Sequence, residues 1–177
     1  MNNDVPPFAG LTPDVVLDAL DSVGLVGDGR MIALNSYENR VYQVAMENGP
    51  PWVAKFYRPR RWTDAQILEE HGFVRELAER EIPVVAPLAF AGGSTLSAFA
   101  GFRFAVYPNC SGRAPELEDR ATREWLGRFI GRIHAVGAQV SFGKRPALDI
   151  ESFGEEPRDW LLAHGFIPPD LDGCHGA

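Results

Sequence analysis

The longest uncharged stretch of the sequence, Ile82 to Phe102, limits early what the chain can fold into. Its length would suit a membrane span. Pro83, Pro87, Gly92-Gly93 and the Ser94-Thr95 pair break it, because proline removes a backbone donor and glycine admits turns. The stretch is therefore read as strands and turns: Leu88 to Ala91, Thr95 to Ser97, and Phe102 to Tyr107. Strands thus gather on the N-terminal side, and long helical periodicity begins only beyond Pro108.

The flanking segments fit that division. Thr12-Pro13-Asp14 is a helix start, with a hydroxyl cap, a proline in the first turn and an acid at the positive dipole end. Val15, Val16, Ala19, Leu20 and Val23 follow at helical spacing, and Gly24 ends the run. Met31 to Leu34, Arg40 to Met46 and Trp52 to Tyr57 read as strands, the last two joined by the turn Asn48-Gly49-Pro50-Pro51. Thr63 and Gln66 have capping-box spacing and open a helix reaching about Arg80, before Ile82-Pro83 forces extended backbone. A further helix spans Asp119 to Ala138, with Trp125, Leu126, Phe129, Ile130 and Ile133 on one face. Gly127 and Gly131, four apart, leave room for a neighbouring element. A short helix is expected near Pro157 to His164, and a loose tail from Gly165. The element order gives an α+β fold, not a doubly wound sheet.

Composition excludes several function classes. With 17 basic and 24 acidic residues the 177-residue chain has net charge −7, which argues against a sequence-independent grip on nucleic acid or anionic lipid. Met1-Asn2-Asn3-Asp4 lacks the basic start of a secretory signal. Two cysteines, Cys110 and Cys174, are too few for a disulfide framework and suit a reducing compartment. A cytoplasmic protein without a membrane span is expected. Cys174-His175 falls short of a metal site, and the four tryptophans read as packing rather than as a base-stacking platform.

Glu70 carries the most chemical information. At 100° per residue, Ile67, Phe73, Val74, Leu77 and Ala78 share one sector of their helix, and Glu70 falls inside it. A carboxylate on a buried face needs a cation and hydrogen bonds. Lys55, within Trp52-Val53-Ala54-Lys55-Phe56-Tyr57, has only apolar neighbours and is the nearest inward candidate. A strand lysine met by a helical glutamate aims an ammonium at nucleotide phosphates; the alternative is a snorkelling lysine and a helix that exposes Glu70. The loop Asn35-Ser36-Tyr37-Glu38-Asn39-Arg40 can present N–H groups and a hydroxyl to phosphate oxygens, or serve simply as a turn. It contains no glycine. Lys55, Arg58, Arg60 and Arg61 form a local basic cluster, read as a solvated connector.

Together these segments resemble the aminoglycoside phosphotransferase-like kinases, and among them the bacterial serine/threonine kinases of the stress response kinase A type. The resemblance lies in Leu34 to Tyr42, in Lys55-Phe56-Tyr57-Arg58-Pro59 with Arg61-Trp62, and in Ile67-Leu68-Glu69-Glu70-His71. It continues through Pro83-Val84, Gly101 to Pro108, and Leu126-Gly127-Arg128 to His134. It implies a protein-kinase-like N-terminal lobe over residues 1–107, a hinge or linker over 108–115, and a partial helical second lobe over 116–177. It implies ATP as the bound nucleotide, magnesium arriving with it, and a protein serine or threonine as acceptor of the whole enzyme; the alternatives are a small amino-alcohol or aminoglycoside-like acceptor, or a non-catalytic nucleotide-binding or interaction module. Ser36, with Glu38 and Asn39 of its loop, would meet the phosphates. Lys55 would bind the α- and β-phosphates, Glu70 would hold Lys55, and Val106, Tyr107 and Asn109 would frame adenine. His134 is read as a packed core histidine.

The family's catalytic His-Gly-Asp loop is not found. His71, His164 and His175 each precede glycine, and none of these pairs is followed by aspartate. Asp170-Leu171-Asp172 resembles the later acidic motif but follows no catalytic loop. No catalytic residue and no metal ligand are therefore assigned, and a shortened reading frame is the simplest expectation. The helix from 119 to 138 would then bare an apolar stripe suited to self-association.

Overall fold

The computed structural model describes residues 6–166. The tail beyond Phe166, with Asp170-Leu171-Asp172 and Cys174-His175, lies outside the described residues. The chain divides into two compact units, Met1–Lys144 and Arg145–Ala177.

The first unit is built on a five-stranded antiparallel sheet in the order β1-β2-β3-β5-β4. Its strands are β1 (Gly27–Leu34), β2 (Arg40–Met46), β3 (Trp52–Phe56), β4 (Ser97–Phe99) and β5 (Phe102–Pro108). β3 pairs with β5 because the intervening helix α2 (Asp64–Glu79) carries the chain across one face, so the last long strand returns inside the sheet, between β3 and the edge strand β4. The register sets Lys55 opposite Val41 on one side and Ala105 on the other. Gly49, in the β2–β3 turn, takes φ 96°, a conformation that a side chain would strain.

Helix α1 (Pro13–Asp21) opens as its sequence dictates, Thr12 accepting a hydrogen bond from the Val15 N–H at 3.3 Å. It buries Val16, Ala19 and Leu20 against Val44, Ala54, Phe56, Phe104 and Val106 of the sheet. The approach is close at Gly27, where a Cβ would stand 2.8 Å from Leu17 Cδ2. Helix α2 has the full capping box, with Gln66 N–H donating to Thr63 Oγ1 and Thr63 N–H to Gln66 Oε1. Helix α3 (Arg120–Gly137) is capped by the Asp119 carboxylate, which accepts from Thr122 N–H at 2.7 Å. Its Phe129, Ile133 and Val136 pack with Phe73, Leu77, Ile82 and Val84. In the second unit, a π-helical turn (Glu151–Glu155) leads into α4 (Glu156–Ala163), where Trp160 stacks on His164 at 4.1 Å.

Several expectations need correction. Leu88 to Ala91 forms no strand: Leu88 donates one bond to the Val106 carbonyl, Phe90 one to Ser94, and no ladder develops. The strand expected at Thr95 to Ser97 begins instead at Ser97, because Thr95 is buried and its hydroxyl is committed to His71. Nothing lies within 4 Å of a Cβ built at Gly127 or Gly131, so among the described residues no neighbouring element uses the room these glycines leave. His134 is exposed rather than packed, as are Trp125 and Trp160. Ala78, placed by helical geometry on the inward sector, is also exposed.

Candidate active site

Lys55 and Glu70 meet, with Nζ 3.5 Å from Oε1 and side-chain exposures of 24% and 31%. Glu70 is thus half-buried rather than enclosed. The strand side of the contact follows from the β3 register, and the helix side from the placement of Glu70 nearly two turns after the Thr63 cap of α2. The Lys55 ammonium also lies 4.7 Å from the centre of the Tyr57 ring. A half-exposed pair at this distance contributes about 0–1 kcal/mol to stability, so its presence asks for a purpose other than holding the fold.

The pair closes one end of a cavity of about 450 Å³. Leu34, Val41 and Val53 from β1, β2 and β3 line it with apolar side chains, as do Val74 of α2 and Val85. Tyr107, Pro108, Asn109 and Cys110, where β5 runs out into loop, form its edge. An apolar slot with one charged end and a strip of free-running backbone suits a flat, polar-edged ring joined to an anion. Another opening of about 470 Å³, over Arg30, Ile32, Gln43 and Pro51, has Arg30 as its single ionisable lining residue and no opposed charges.

The remaining expected site residues divide. Val106 is fully buried in the sheet core and its carbonyl accepts the Leu88 N–H, so it does not line the cavity. Ser36 is exposed in the β1–β2 loop, its hydroxyl donating to the Asn39 carbonyl. Glu38 and Asn39 hold the loop from behind. The Glu38 carboxylate accepts from Arg61 Nε at 2.9 Å and Trp62 Nε1 at 2.8 Å, and Asn39 Oδ1 accepts from the Arg58 N–H at 3.2 Å. Burial pushes the Glu38 carboxyl up, but the bonds from Arg61 and Trp62 outweigh that and leave it below its ordinary value. Arg61 in the basic connector is therefore a clamp, while Arg58 and Arg60 stay exposed.

Sequence reasoning missed His71. It is buried, 2% exposed, and its ring reaches the cavity wall beside Glu70. Nε2 lies 2.7 Å from Tyr57 Oη and 3.3 Å from Tyr107 Oη, and Nδ1 lies 2.7 Å from Thr95 Oγ1. Desolvation, aided by Lys55 and opposed by Glu70, depresses its pKa to about 4, so the ring is neutral at ordinary pH. Burial likewise raises Tyr107. Helical geometry placed His71 100° from Glu70 and next to Ile67, a signal that was available but overshadowed by the carboxylate. Among the described residues no group of three or more His, Cys, Asp or Glu is placed to hold a metal ion. Nor does any described helix have the length and apolarity to cross a membrane.

Residues 31–166 match the model of the APH phosphotransferase enzyme family. The chain belongs to that family. It is 44% identical over 171 residues to stress response kinase A of Escherichia coli O157:H7, covering 97% of this chain and 52% of that protein. It is 42% identical over 168 residues to the serine/threonine protein kinase RdoA of Salmonella typhimurium, covering 95% and 51%. The chain thus spans about half the length of the curated relatives it matches. Among solved structures it is similar to the amicoumacin kinase hAmiN in complex with AMP-PNP, Ca2+ and Ami. That match has TM-score 0.66 and 25% identity, covering 89% of this chain and 48% of the other. A microcompartment-associated aminopropanol kinase shares the fold at TM-score 0.62 and 19% identity, covering 82% and 48%. The antiparallel sheet with α2 across it is an α+β arrangement of the kinase type, and the family is one of phosphotransferases.

Proposed function

We propose that these residues form the ATP-binding part of an ATP-dependent serine/threonine protein kinase of the stress-response type. The Lys55–Glu70 pair at the end of an apolar slot supports this reading most directly, together with the relatives named as stress response and serine/threonine kinases. In this reading residues 1–107 are the nucleotide lobe, 108–115 the linker and 116–177 part of a helical lobe, in a cytoplasmic protein.

Each residue then has a task. Leu34, Val41 and Val53 would sandwich adenine from one side, and backbone groups from Tyr107 to Asn109 would meet its polar edge. Lys55 would place its ammonium on the α- and β-phosphates, where a charge-assisted bond in a partly dry site is stronger than in water. Glu70 would hold that ammonium in place above the Tyr57 ring, at the cavity wall. The β1–β2 loop, pinned by Glu38 and Asn39, would turn the Ser36 hydroxyl from the Asn39 carbonyl to a phosphate oxygen. Magnesium neutralises phosphate charge when it accompanies ATP. The described residues supply no carboxylate cluster for it, so no step is assigned through the metal.

Calorimetric titration of the chain with ATP tests the reading. Lys55→Met should weaken binding about tenfold to a hundredfold, the loss of one charged hydrogen bond. Equal, weak binding by wild type, Lys55→Met and Ser36→Ala would overturn it. The likeness to an amicoumacin kinase favours a second reading of the acceptor, a small molecule bearing a hydroxyl or amine. Phosphate transfer from labelled ATP by an enzyme carrying these residues, to protein or to small acceptors, separates the two.

A further inference from the structure

Two adjacent positions of α2 face two strand-side partners. Glu70 meets Lys55, and His71 meets Tyr57, two residues further along the same strand end. The first contact is a half-exposed ion pair across 3.5 Å, weak and open to salt. The second is buried, neutral and bonded through both ring nitrogens: Tyr57 on one side, Thr95 on the other, with Tyr107 3.3 Å from Nε2. Tyr57 is itself fixed to the sheet, since its N–H donates to the Arg103 carbonyl at 2.9 Å. The apolar contacts of α2 here, Ile67 against Tyr57 and Ala105, bury area but tolerate small rotations. Bonds to a planar ring do not, because each nitrogen accepts or donates along one direction.

We propose that His71 is a positioning residue: held by Tyr57 and Thr95, it fixes the rotation of α2 that carries the Glu70 carboxylate to Lys55. The proposal rests on the reading of Lys55 and Glu70 as the phosphate-binding pair. It adds that the pair is set from behind, by a network tying α2 to the ends of β3 and β5 and to the turn before β4. Tyr107 makes the same network touch the cavity edge where adenine would lie.

The chain contains two lysines, Lys55 and the exposed Lys144, which gives a readout independent of nucleotide. The full chain is treated briefly with an amine-acylating reagent, and the Lys55 to Lys144 labelling ratio is read by peptide mass spectrometry. Glu70→Gln should raise that ratio about fivefold, the scale of a half-exposed ion pair. His71→Asn should raise it as far, and the double variant no further. Tyr57→Phe, which keeps the ring under the ammonium, and Thr95→Val should each raise it in part, whereas Thr95→Ser should restore the wild-type ratio.

Circular dichroism identifies variants that fail to fold; if His71→Asn is one, Tyr57→Phe and the Thr95 pair decide. A wild-type ratio in the folded network variants would overturn the proposal. So would additive effects of His71→Asn and Glu70→Gln, or a Glu70→Gln chain labelled like wild type. Repeating the labelling with ATP separates the two readings. ATP that fails to shield Lys55 counts against nucleotide binding, and the network still stands or falls on the ratios without it.

Discussion

Helices α2 and α3 lie in the same unit and make a sharp contrast. α3 has the cleaner apolar stripe, Trp125, Leu126, Phe129, Ile130, Ile133 and Val136, yet among these only Val136 is buried, and Trp125 and Ile130 are 56% and 42% exposed. α2 mixes Ile67, Phe73, Val74 and Leu77 with acids and Arg75, yet it buries Ile67, His71 and Leu77. Its polar residues are put to use. Asp64 pairs with Arg103 at 2.6 Å, and Glu69 accepts from the N–H groups of Gly143 and Lys144. A helix is buried by what surrounds it, and a stripe only offers a face. α2 has a sheet on one side and the 140–144 segment on another, whereas α3 packs against the C-terminal half of α2 and the Ile82–Val84 segment that follows it.

The contrast can be broken most forcefully by truncation. Ile67→Ala or Leu77→Ala should destabilise the chain by about 2–5 kcal/mol in urea melts, since both are almost wholly enclosed. A cost below the range for surface changes would show that α2 is not the buried partner.

A smaller effect concerns pH. The folded pKa of His71, about 4, lies below the unfolded value near 6.5, so the unfolded chain binds more protons between them. Stability from the neutral ring is complete above pH 6.5 and is lost as pH falls toward 4, by about 1.4 kcal/mol per unit. His71→Asn should flatten that slope; an unchanged slope would assign it to other groups. α3 has no counterpart, because its one histidine, His134, is exposed.

The smallest effect on stability should come from Trp125→Ser, within about 0.5 kcal/mol. Its readout is sedimentation: if the bare stripe drives self-association, the variant should shift the chain toward monomer. A chain already monomeric before substitution would remove the stripe as an association surface.

Local chemistry made much of this legible. Thr12 and Thr63 announce two helix starts, because a cap needs only its own turn. The Lys55–Glu70 contact was readable from one odd lysine and one odd glutamate. What escaped depends on partners distant in sequence. Leu88 to Ala91 has strand composition but meets the sheet through a single bond to Val106. Glu38 and Asn39 looked like ligand-facing polar residues; Arg58, Arg61 and Trp62, some twenty positions on, recruit them as anchors. The role of His71 is not legible in the sequence because it lies in Tyr57, Thr95 and Tyr107, which no helical wheel displays.

The clamp on the β1–β2 loop has a thermodynamic consequence. A phosphate-embracing loop rich in glycine samples many conformations when empty and must surrender them on binding. Here residues 35–39 contain no glycine, and two of them are tethered from outside the loop. Much of that ordering is done when the chain folds. On the proposed reading, nucleotide would meet a loop with little disorder left to lose, and the entropy of association would be correspondingly mild.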